Sequence, residues 1–201
     1  MNESPPPPPT PSTIARLRGK GGRYHHGNLR GALIVAAANL LEVQGEAGLT
    51  LRALADCAGV SRAAPYRHFA DKEALLATLA GEGYRVLDRE LERAATAAAE
   101  GPARLQAIAL AYVAFARRHH RMFRLMFAND AILAGEGSER LLARLTDAVA
   151  SMRGTPDDGA AAIAAWSLIH GLATLRLDDR MPAADKLGVE SIVALLVDGI
   201  S

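Results

Sequence analysis

The sequence predicts an all-α protein of about nine helices, with a small N-terminal domain followed by a larger helical domain. From Asn28 onward, apolar residues recur with the period of an α-helix, and the alternation typical of strands is absent. Hydrophobic residues make up 50% of the 201 residues and charged residues 22%. This composition is typical of a globular chain with a buried core.

Composition divides the chain into three predicted segments. Six of the ten prolines lie in the first eleven residues, and a basic, glycine-containing stretch follows. We therefore expect an extended tail and a basic arm over residues 1–22. The first folded domain is predicted over 23–86, with a helix-turn-helix at 49–68. The second helical domain is predicted over 87–201, with helices that begin near Pro102, Pro156 and Pro182.

Charge is unevenly distributed between the two ends of the chain, although the net charge is only +1. Residues 1–70 hold eight basic and four acidic side chains, a net charge of +4. The remaining fifteen basic and eighteen acidic side chains give residues 71–201 a net charge of −3. A basic N-terminal domain beside an acidic remainder is typical of a protein that binds a polyanion.

Capping residues define the first four predicted helices. The predicted N-caps are Asn28, Thr50, Ser61 and Asp71. The first helix is expected to end before Gly45, and Gly59 stands where a left-handed residue ends the second. The third helix is predicted to reach about Ala70, and the fourth about Ala99.

The spacing around the second and third helices predicts a helix-turn-helix. Ala55 is small where the helices cross, Gly59 makes the turn, and Pro65 is an apolar residue that points back to the core. At 100° per residue, Phe69 shares the inward face with Pro65. The predicted outward face comprises Ala63, Ala64, Tyr66 and Arg67, with Arg62 at the helix start.

The outward face carries the chemistry of a DNA major-groove contact. An arginine can form two hydrogen bonds with guanine, and alanine can approach a thymine methyl group. Five other side chains are of the type that contacts the DNA backbone, namely Thr50, Ser61, Tyr66, His68 and Lys72. The alternative is an ordinary helical hairpin with a solvated basic face. The agreement of Ala55, Gly59 and the local charge favours double-stranded DNA as the partner.

The stretch "LTLRALADCAGVSRAAPYRHFADKEALL", residues 49–76, resembles the DNA-binding domain of the tetracycline-repressor (TetR) family of bacterial regulators. The preceding "YHHGNLRGALIVAAANLLEVQG" resembles that family's first helix. The resemblance implies an all-α homodimer that represses transcription until a small ligand releases it. It also implies base contacts by Arg62, Ala63, Ala64 and Arg67. Pro65 departs from the family pattern, which has another apolar residue there.

The second domain contains two helices that are apolar nearly all round, within 157–177 and 187–200. Such helices are buried on every side, so we expect a four-helix interface with a twofold partner. Twofold symmetry predicts a palindromic operator read by helices about 34–36 Å apart, or a multiple of that. The stretch "WSLIHG", 166–171, resembles the Trp-x-x-x-His-Gly signature of one C-terminal subgroup of the family.

A ligand site is a further expectation for the second domain. Adaptable apolar side chains concentrate between Tyr112 and Phe127, and with Trp166 and His170 they could line it. The six favoured contacts are Phe115, Met122, Phe123, Met126, Trp166 and His170. A small apolar or amphipathic ligand would suit this lining. The alternative is that these residues simply form the core, with His170 bonded to a backbone carbonyl.

Enzyme and metal functions lack support in the sequence. No H-E-x-x-H, C-x-x-C or G-x-S-x-G motif is present, so no catalytic residue, metal ligand or cofactor is predicted. The single cysteine, Cys57, indicates a reducing compartment, and we expect a cytoplasmic protein. No apolar run is expected to reach the length of a membrane span.

Two functions remain open at this point. The favoured one is a ligand-responsive dimeric repressor, and the alternative is a DNA-binding dimer without a small-molecule ligand. In the first case, Gly81 and Gly83 would soften the fourth helix and help it to shift on ligand binding. The contrasting explanation is that the helix simply tolerates both glycines.

Overall fold

The computed structural model describes residues 28–128, 136–155, 159–178 and 188–200. The predicted tail and arm, residues 23–27, and the predicted helix starts at Pro156 and Pro182 lie outside these ranges. Within them the chain forms eight α-helices and one 3-10 helix, and no strand. The α-helices are α1 (Leu29–Gly48), α2 (Leu51–Ala58), α3 (Lys72–Ala97), α4 (Pro102–Arg118), α5 (His120–Met126), α6 (Glu136–Arg153), α7 (Ala160–Leu177) and α8 (Val189–Ile200). The 3-10 helix is Pro65–Arg67.

The chain divides into two compact units, Met1–Ala80 and Gly81–Ser201, which we call the head unit and the body unit. The all-α class predicted from the sequence is confirmed. The predicted functional boundary between residues 86 and 87 stays a prediction.

Helix α1 begins at its predicted cap. The Asn28 side-chain oxygen accepts a hydrogen bond from the Gly31 N–H at 2.9 Å. Gly45 interrupts the helical conformation with φ 72° and ψ −176°, and a further turn continues to Gly48. A positive φ suits glycine because it has no Cβ. The predicted break before Gly45 is therefore present as a kink within α1.

Helix α2 is bounded as predicted on both sides. The Thr50 hydroxyl oxygen accepts from the Ala53 N–H at 3.0 Å, and Gly59 adopts the left-handed conformation with φ 66°. The Val60 N–H then donates to the Ala55 carbonyl at 3.1 Å, which closes the helix end. Leu54 and Ala55 are fully buried, so α2 packs on α1 through its small, apolar face.

The predicted third α-helix is wrong. Residues 62–64 form turns, and only Pro65–Arg67 are helical, in the 3-10 form. The Ala64 N–H donates to the Ser61 carbonyl at 2.9 Å, three residues back rather than four. Pro65 has no N–H to bond that carbonyl, and its ring crowds it, so an α-helical turn from Ser61 is disfavoured. Ser61 accordingly caps no α-helix.

Helix α3 begins after Asp71, as predicted. The Asp71 carboxylate accepts from the Ala74 N–H at 2.8 Å. The helix then runs to Ala97, two residues short of the predicted end at Ala99. Pro65, Phe69, Leu75 and Leu79 are buried in the head unit. The 3-10 turn and the start of α3 therefore share one small core with α1 and α2.

The body unit is built around α4. This helix begins with Pro102 in its first turn, where the missing N–H has no intrahelical partner, as predicted. It packs against α5, α6, α7 and α8, and α7 packs in turn on α6 and α8. Tyr112 and Phe115 are the largest of its fully buried side chains. The aromatic side chains of α4 and α5 thus lie inside the helical bundle.

Gly83 has a packing role in the body unit. A Cβ built there would lie 2.6 Å from the Met126 sulfur and 3.0 Å from Met122 Cγ. At Gly81, by contrast, the nearest atom is an Arg85 nitrogen at 3.9 Å. Close approach of α3 to the methionines explains Gly83, and Gly81 is the glycine to which the softening hypothesis still applies.

Helix α7 is long and apolar enough to cross a membrane, judged by its 18 residues and mean hydropathy of 1.4. The expectation that no apolar run reaches this length is therefore wrong for α7. Within the single chain only 28% of the 18 residues are buried, so the burial expected with a twofold partner stays a prediction. Ile163, Leu168 and Leu175 are exposed on it, and Leu195 is exposed on α8. Core helices of soluble proteins can reach the same length and hydropathy.

Candidate functional site

Residues 61–68, which we call the recognition turn, present most of the predicted DNA-contacting side chains to solvent. Tyr66 is 59% exposed. Ser61, Arg62, Ala63 and Arg67 are also exposed, and His68 is half-buried.

Ala64 is the exception to the predicted outward face, because it is only 8% exposed. The prediction placed residues at 100° intervals around an α-helix, and that geometry does not hold for turns followed by a 3-10 helix. With its side chain against the head core, Ala64 is unsuited to contact a base. This removes one of the two alanines from the predicted base-reading surface.

The recognition turn is held from behind by the head core. Pro65 is buried and Phe69 is 2% exposed. The Pro65 carbonyl accepts from the N–H groups of both His68 and Phe69 at 2.9 Å. The Arg30 guanidinium lies 5.6 Å from the centre of the Phe69 ring, within the range of a cation–π contact. These contacts fix the backbone that presents Arg62 and Arg67.

Thr50 and Lys72 flank the recognition turn and already have partners within the head unit. Thr50 uses its hydroxyl oxygen as the cap of α2, which leaves its hydroxyl proton to donate. The half-buried Lys72 donates from Nζ to the Glu46 carbonyl at 2.8 Å, just beyond the Gly45 kink. An ammonium group has three donors, so Lys72 retains two for another acceptor.

A second cluster of functional groups lies in the body unit around His170. The His170 ring stacks on Phe123 with centroids 5.4 Å apart, and lies against Phe127 at 4.5 Å. The Tyr112 hydroxyl and His170 Nδ1 are 2.9 Å apart. His170 is therefore bonded to a tyrosine, and the expected bond to a backbone carbonyl is replaced by this side-chain bond.

Burial changes the acid–base behaviour of this cluster. It raises the pKa of Tyr112 well above its usual range and lowers the pKa of His170. The nearby Trp166 N–H opposes the first shift, since it lowers the pKa of Tyr112. The Trp166 indole N–H nevertheless makes no hydrogen bond with any described residue. Both rings therefore stay uncharged near neutral pH.

The six predicted ligand-contacting residues fall into three places. Phe123, His170 and the neighbouring Trp166 belong to the cluster. Met122 and Met126 pack against Gly83. Phe115 contacts His119, with ring centroids 4.8 Å apart. The side chains of Phe115, Met122, Phe123 and Met126 are at most 2% exposed, so they are part of the core.

Two members of the cluster belong to the apolar stretch expected around the site but not to the six favoured contacts, and a third nearby side chain was not predicted. Tyr112 and Phe127 contact His170, while Thr174 follows it by four residues on α7. The spacing Trp166–His170–Thr174 was visible in the sequence. The position of Tyr112 opposite them was not, because it depends on how α4 packs on α7.

Among the described residues, no group of three or more His, Cys, Asp or Glu side chains is placed to hold a metal ion. Cys57 is exposed on α2.

Family models match both units. The model described as bacterial regulatory proteins of the tetR family matches residues 33–79, which include α2 and the recognition turn. The model described as the tetracyclin repressor-like C-terminal domain matches residues 105–200. The chain belongs to the TetR family. Its head unit carries the family's DNA-binding domain, and TetR proteins are transcription regulators rather than enzymes, as the sequence predicted.

Solved structures agree with this assignment to the TetR family. A protein of unknown function from Rhodococcus sp. RHA1 is 33% identical, with a TM-score of 0.73, and the match covers 88% of this chain and 95% of that one. A tetR-family regulatory protein from Rhodococcus RHA1 is 20% identical, with a TM-score of 0.60 and coverages of 85% and 93%. AibR, solved in complex with isovaleryl coenzyme A and operator DNA, is 21% identical, with a TM-score of 0.55 and coverages of 85% and 94%. No curated protein matches the chain.

Membership of the TetR family makes the chain a DNA-binding transcription regulator. The Trp-x-x-x-His-Gly subgroup stays a prediction from residues 166–171.

Proposed function

We propose that this TetR protein is a cytoplasmic homodimeric repressor that occupies a palindromic operator and leaves it when a small ligand binds the body unit. The observation that carries the proposal is the exposed recognition turn on a family-type head. Its two arginines lie in a basic part of the chain and are backed by a rigid apolar core. AibR supports the general scheme, because a protein of the same fold binds both operator DNA and a small molecule.

In this proposal, base reading belongs to a small set of side chains. Arg62 and Arg67 each offer a planar guanidinium to guanine, and Ala63 lies beside them for contact with a thymine methyl group. The phosphate contacts come from Thr50, Ser61, Tyr66, His68 and Lys72. Ala64 is left out because its side chain is buried.

The homodimer is proposed from the exposed apolar residues of α7 and α8. Leu195 is 74% exposed, and Ile163 and Leu168 are each more than half exposed. An apolar surface of this kind on a single chain marks a protein interface, and a second copy would cover both helices at once. Two paired helices from each copy would form the four-helix interface expected from the sequence.

Operator binding tests the DNA part of the proposal. Fluorescence anisotropy would follow the full-length protein on the promoter of its own gene, over a range of salt concentrations. Arg62→Ala and Arg67→Ala should each weaken specific binding by about 1–3 kcal/mol. Arg153→Ala is the matched control, because this exposed arginine lies at the end of α6. Equal affinities for the wild type and both recognition-turn variants would contradict the proposal.

The alternative, a DNA-binding dimer without a small-molecule ligand, is favoured by one observation. Four of the six predicted ligand-contacting side chains are packed into the core. The two functions differ in whether a small molecule that binds the body unit releases the protein from operator DNA.

A further inference from the structure

Three polar side chains follow one another on a single face of α7. Trp166, His170 and Thr174 are spaced four residues apart within Ala160–Leu177. Residues at this spacing lie above one another along a helix. The other polar side chains of α7 are Arg176 and Ser167, and the Ser167 hydroxyl donates to the Ile163 carbonyl at 2.8 Å.

Two of these side chains have buried polar atoms without a hydrogen bond. The indole nitrogen of Trp166 and the hydroxyl oxygen of Thr174 are buried and lack a partner among the described residues. A buried polar group without a partner reduces stability, so each such group in a folded protein needs an explanation. A bound molecule that supplies the missing partner is one explanation.

The third side chain, His170, is arranged to donate. Its Nδ1 is 2.9 Å from the Tyr112 hydroxyl. When the hydroxyl donates its proton to Nδ1, the neutral imidazole carries its own proton on Nε2. Trp166 N–H, His170 Nε2–H and the Thr174 hydroxyl then form a row of donors with no formal charge.

The surroundings of the donor row are flat and aromatic. Phe123 stacks on His170 with an interplanar angle of 25°, and Phe127 is tilted by 59° against the same ring and lies 4.8 Å from Phe123. Aromatic rings favour a flat, apolar ligand, and the donors favour an acceptor atom on it.

We infer that Trp166, His170 and Thr174 form the polar side of a site for a small, neutral aromatic molecule that carries an acceptor oxygen such as a ketone. A carboxylate is disfavoured, because the row offers no positive charge to compensate a buried anion. The inference rests on the proposed ligand response and specifies the chemical class of the ligand.

Trp166 provides a direct measurement, because it is the single tryptophan of the chain. The full-length protein would be titrated with acetophenone, ethylbenzene and benzoate while its tryptophan emission is recorded. Acetophenone should change the tryptophan emission in a saturable way. Ethylbenzene and benzoate should each bind at least about tenfold more weakly than acetophenone. No saturable change with acetophenone would overturn the inference. Equal binding of ethylbenzene would overturn the role of the donors, and tighter binding of benzoate would overturn the neutral class.

Substitution at Thr174 separates a ligand site from a structural role. Thr174→Val replaces an unpaired hydroxyl by a methyl group, so it should leave the melting temperature of the free protein unchanged or raise it. The same variant should bind acetophenone about threefold to tenfold more weakly, and Thr174→Ser should restore binding. A lowered melting temperature would show that a structural water or another internal partner holds this hydroxyl, and it would overturn the inference.

Thr146→Val is the matched control for that experiment. The Thr146 hydroxyl already donates to the Leu142 carbonyl at 3.0 Å in the same unit. Its loss should lower the melting temperature and leave acetophenone binding unchanged.

Operator binding of the wild-type protein is measured in parallel, in the absence of acetophenone, ethylbenzene and benzoate. If the wild-type protein does not bind operator DNA, the proposed function is refuted. If it binds operator DNA but does not respond to acetophenone, only this inference is refuted.

Discussion

At the scale of single residues, Gly83 shows how one missing methyl group sets a helix contact. Gly83→Ala adds a Cβ 2.6 Å from the Met126 sulfur in a region where Met126 is fully buried. Overpacking typically costs about 1–3 kcal/mol, which exceeds the gain of about 1 kcal/mol in helix propensity. We therefore expect a net loss of about 1 kcal/mol in the free energy of unfolding, measured by urea denaturation.

Gly81→Ala is the control for this prediction. The position is in the same helix, and its nearest atom is 3.9 Å from the added Cβ. We expect this variant to gain about 0.5–1 kcal/mol from helix propensity alone. Two variants with the same change in stability would contradict the packing role of Gly83.

His119 is the residue that should make stability depend on pH. Burial, followed by the charge of the adjacent Arg118, lowers the pKa of His119 from 6.5 to about 4, while a hydrogen bond to the Arg118 backbone opposes this. The unfolded chain then binds more protons than the folded one between these values. The contribution of neutral His119 to the free energy of unfolding is complete above about pH 6.5 and is lost as the pH falls towards 4.

His119→Gln should therefore flatten the stability profile between pH 6.5 and 4 relative to the wild type. The measurement is thermal unfolding at a series of pH values. His120→Gln serves as the control, since His120 is the neighbouring histidine and is exposed. A wild-type slope in His119→Gln would refute the assignment.

At the scale of elements, the recognition turn depends on one proline. Pro65→Ala restores an N–H that can donate to the Ser61 carbonyl, the bond that an α-helix from Ser61 needs. We expect residues 62–67 to change from turn and 3-10 structure to α-helix. Backbone chemical shifts measured by NMR, together with protection of the restored amide at position 65 from hydrogen exchange, would show this. Unchanged chemical shifts over 62–67 would mean that the surrounding core, rather than Pro65, sets the turn.

The same element shows where reasoning from sequence succeeds and where it stops. Asn28, Thr50 and Asp71 cap their helices as predicted, because a cap depends on residues within three positions of one another. The third helix was wrongly predicted because Pro65 cannot make the first intrahelical bond to the Ser61 carbonyl and its ring crowds that carbonyl. The same error placed Ala64 on the outward face, whereas its side chain is buried.

The candidate ligand site was harder to predict for a different reason. Trp166 and His170 were identified from their residue types, but Tyr112 lies 58 positions away from His170 along the chain. The packing of α4 on α7 brings them together, and helical periodicity does not specify which residues face each other across two helices. That the Thr174 hydroxyl lacks a hydrogen bond could not be predicted either, because it depends on which atoms of other helices lie next to it.

At the scale of the whole molecule, the exposed residues of α7 and α8 determine assembly. Leu195→Glu places two like charges at the proposed twofold interface, which costs several kcal/mol. We expect dimer dissociation to become about a hundredfold more favourable or more, measured by sedimentation velocity.

Val43→Glu is the control for the assembly experiment. Val43 is 54% exposed on α1, in the head unit, so the new charge is equally well hydrated there. This variant should sediment like the wild type. A dimer that persisted unchanged in Leu195→Glu would place the interface elsewhere.

The brevity of the recognition turn also limits how much information one copy of the protein can extract from DNA. Each exposed side chain that reads a base specifies at most about one base pair, and Arg62, Ala63 and Arg67 are the exposed base-reading candidates. Sequences that satisfy so few side chains recur throughout a genome, where non-specific sites number about a million or more. Under the proposed function, a single copy would therefore bind many similar sites in the genome. Two recognition turns that contact one operator together are needed to specify a single site.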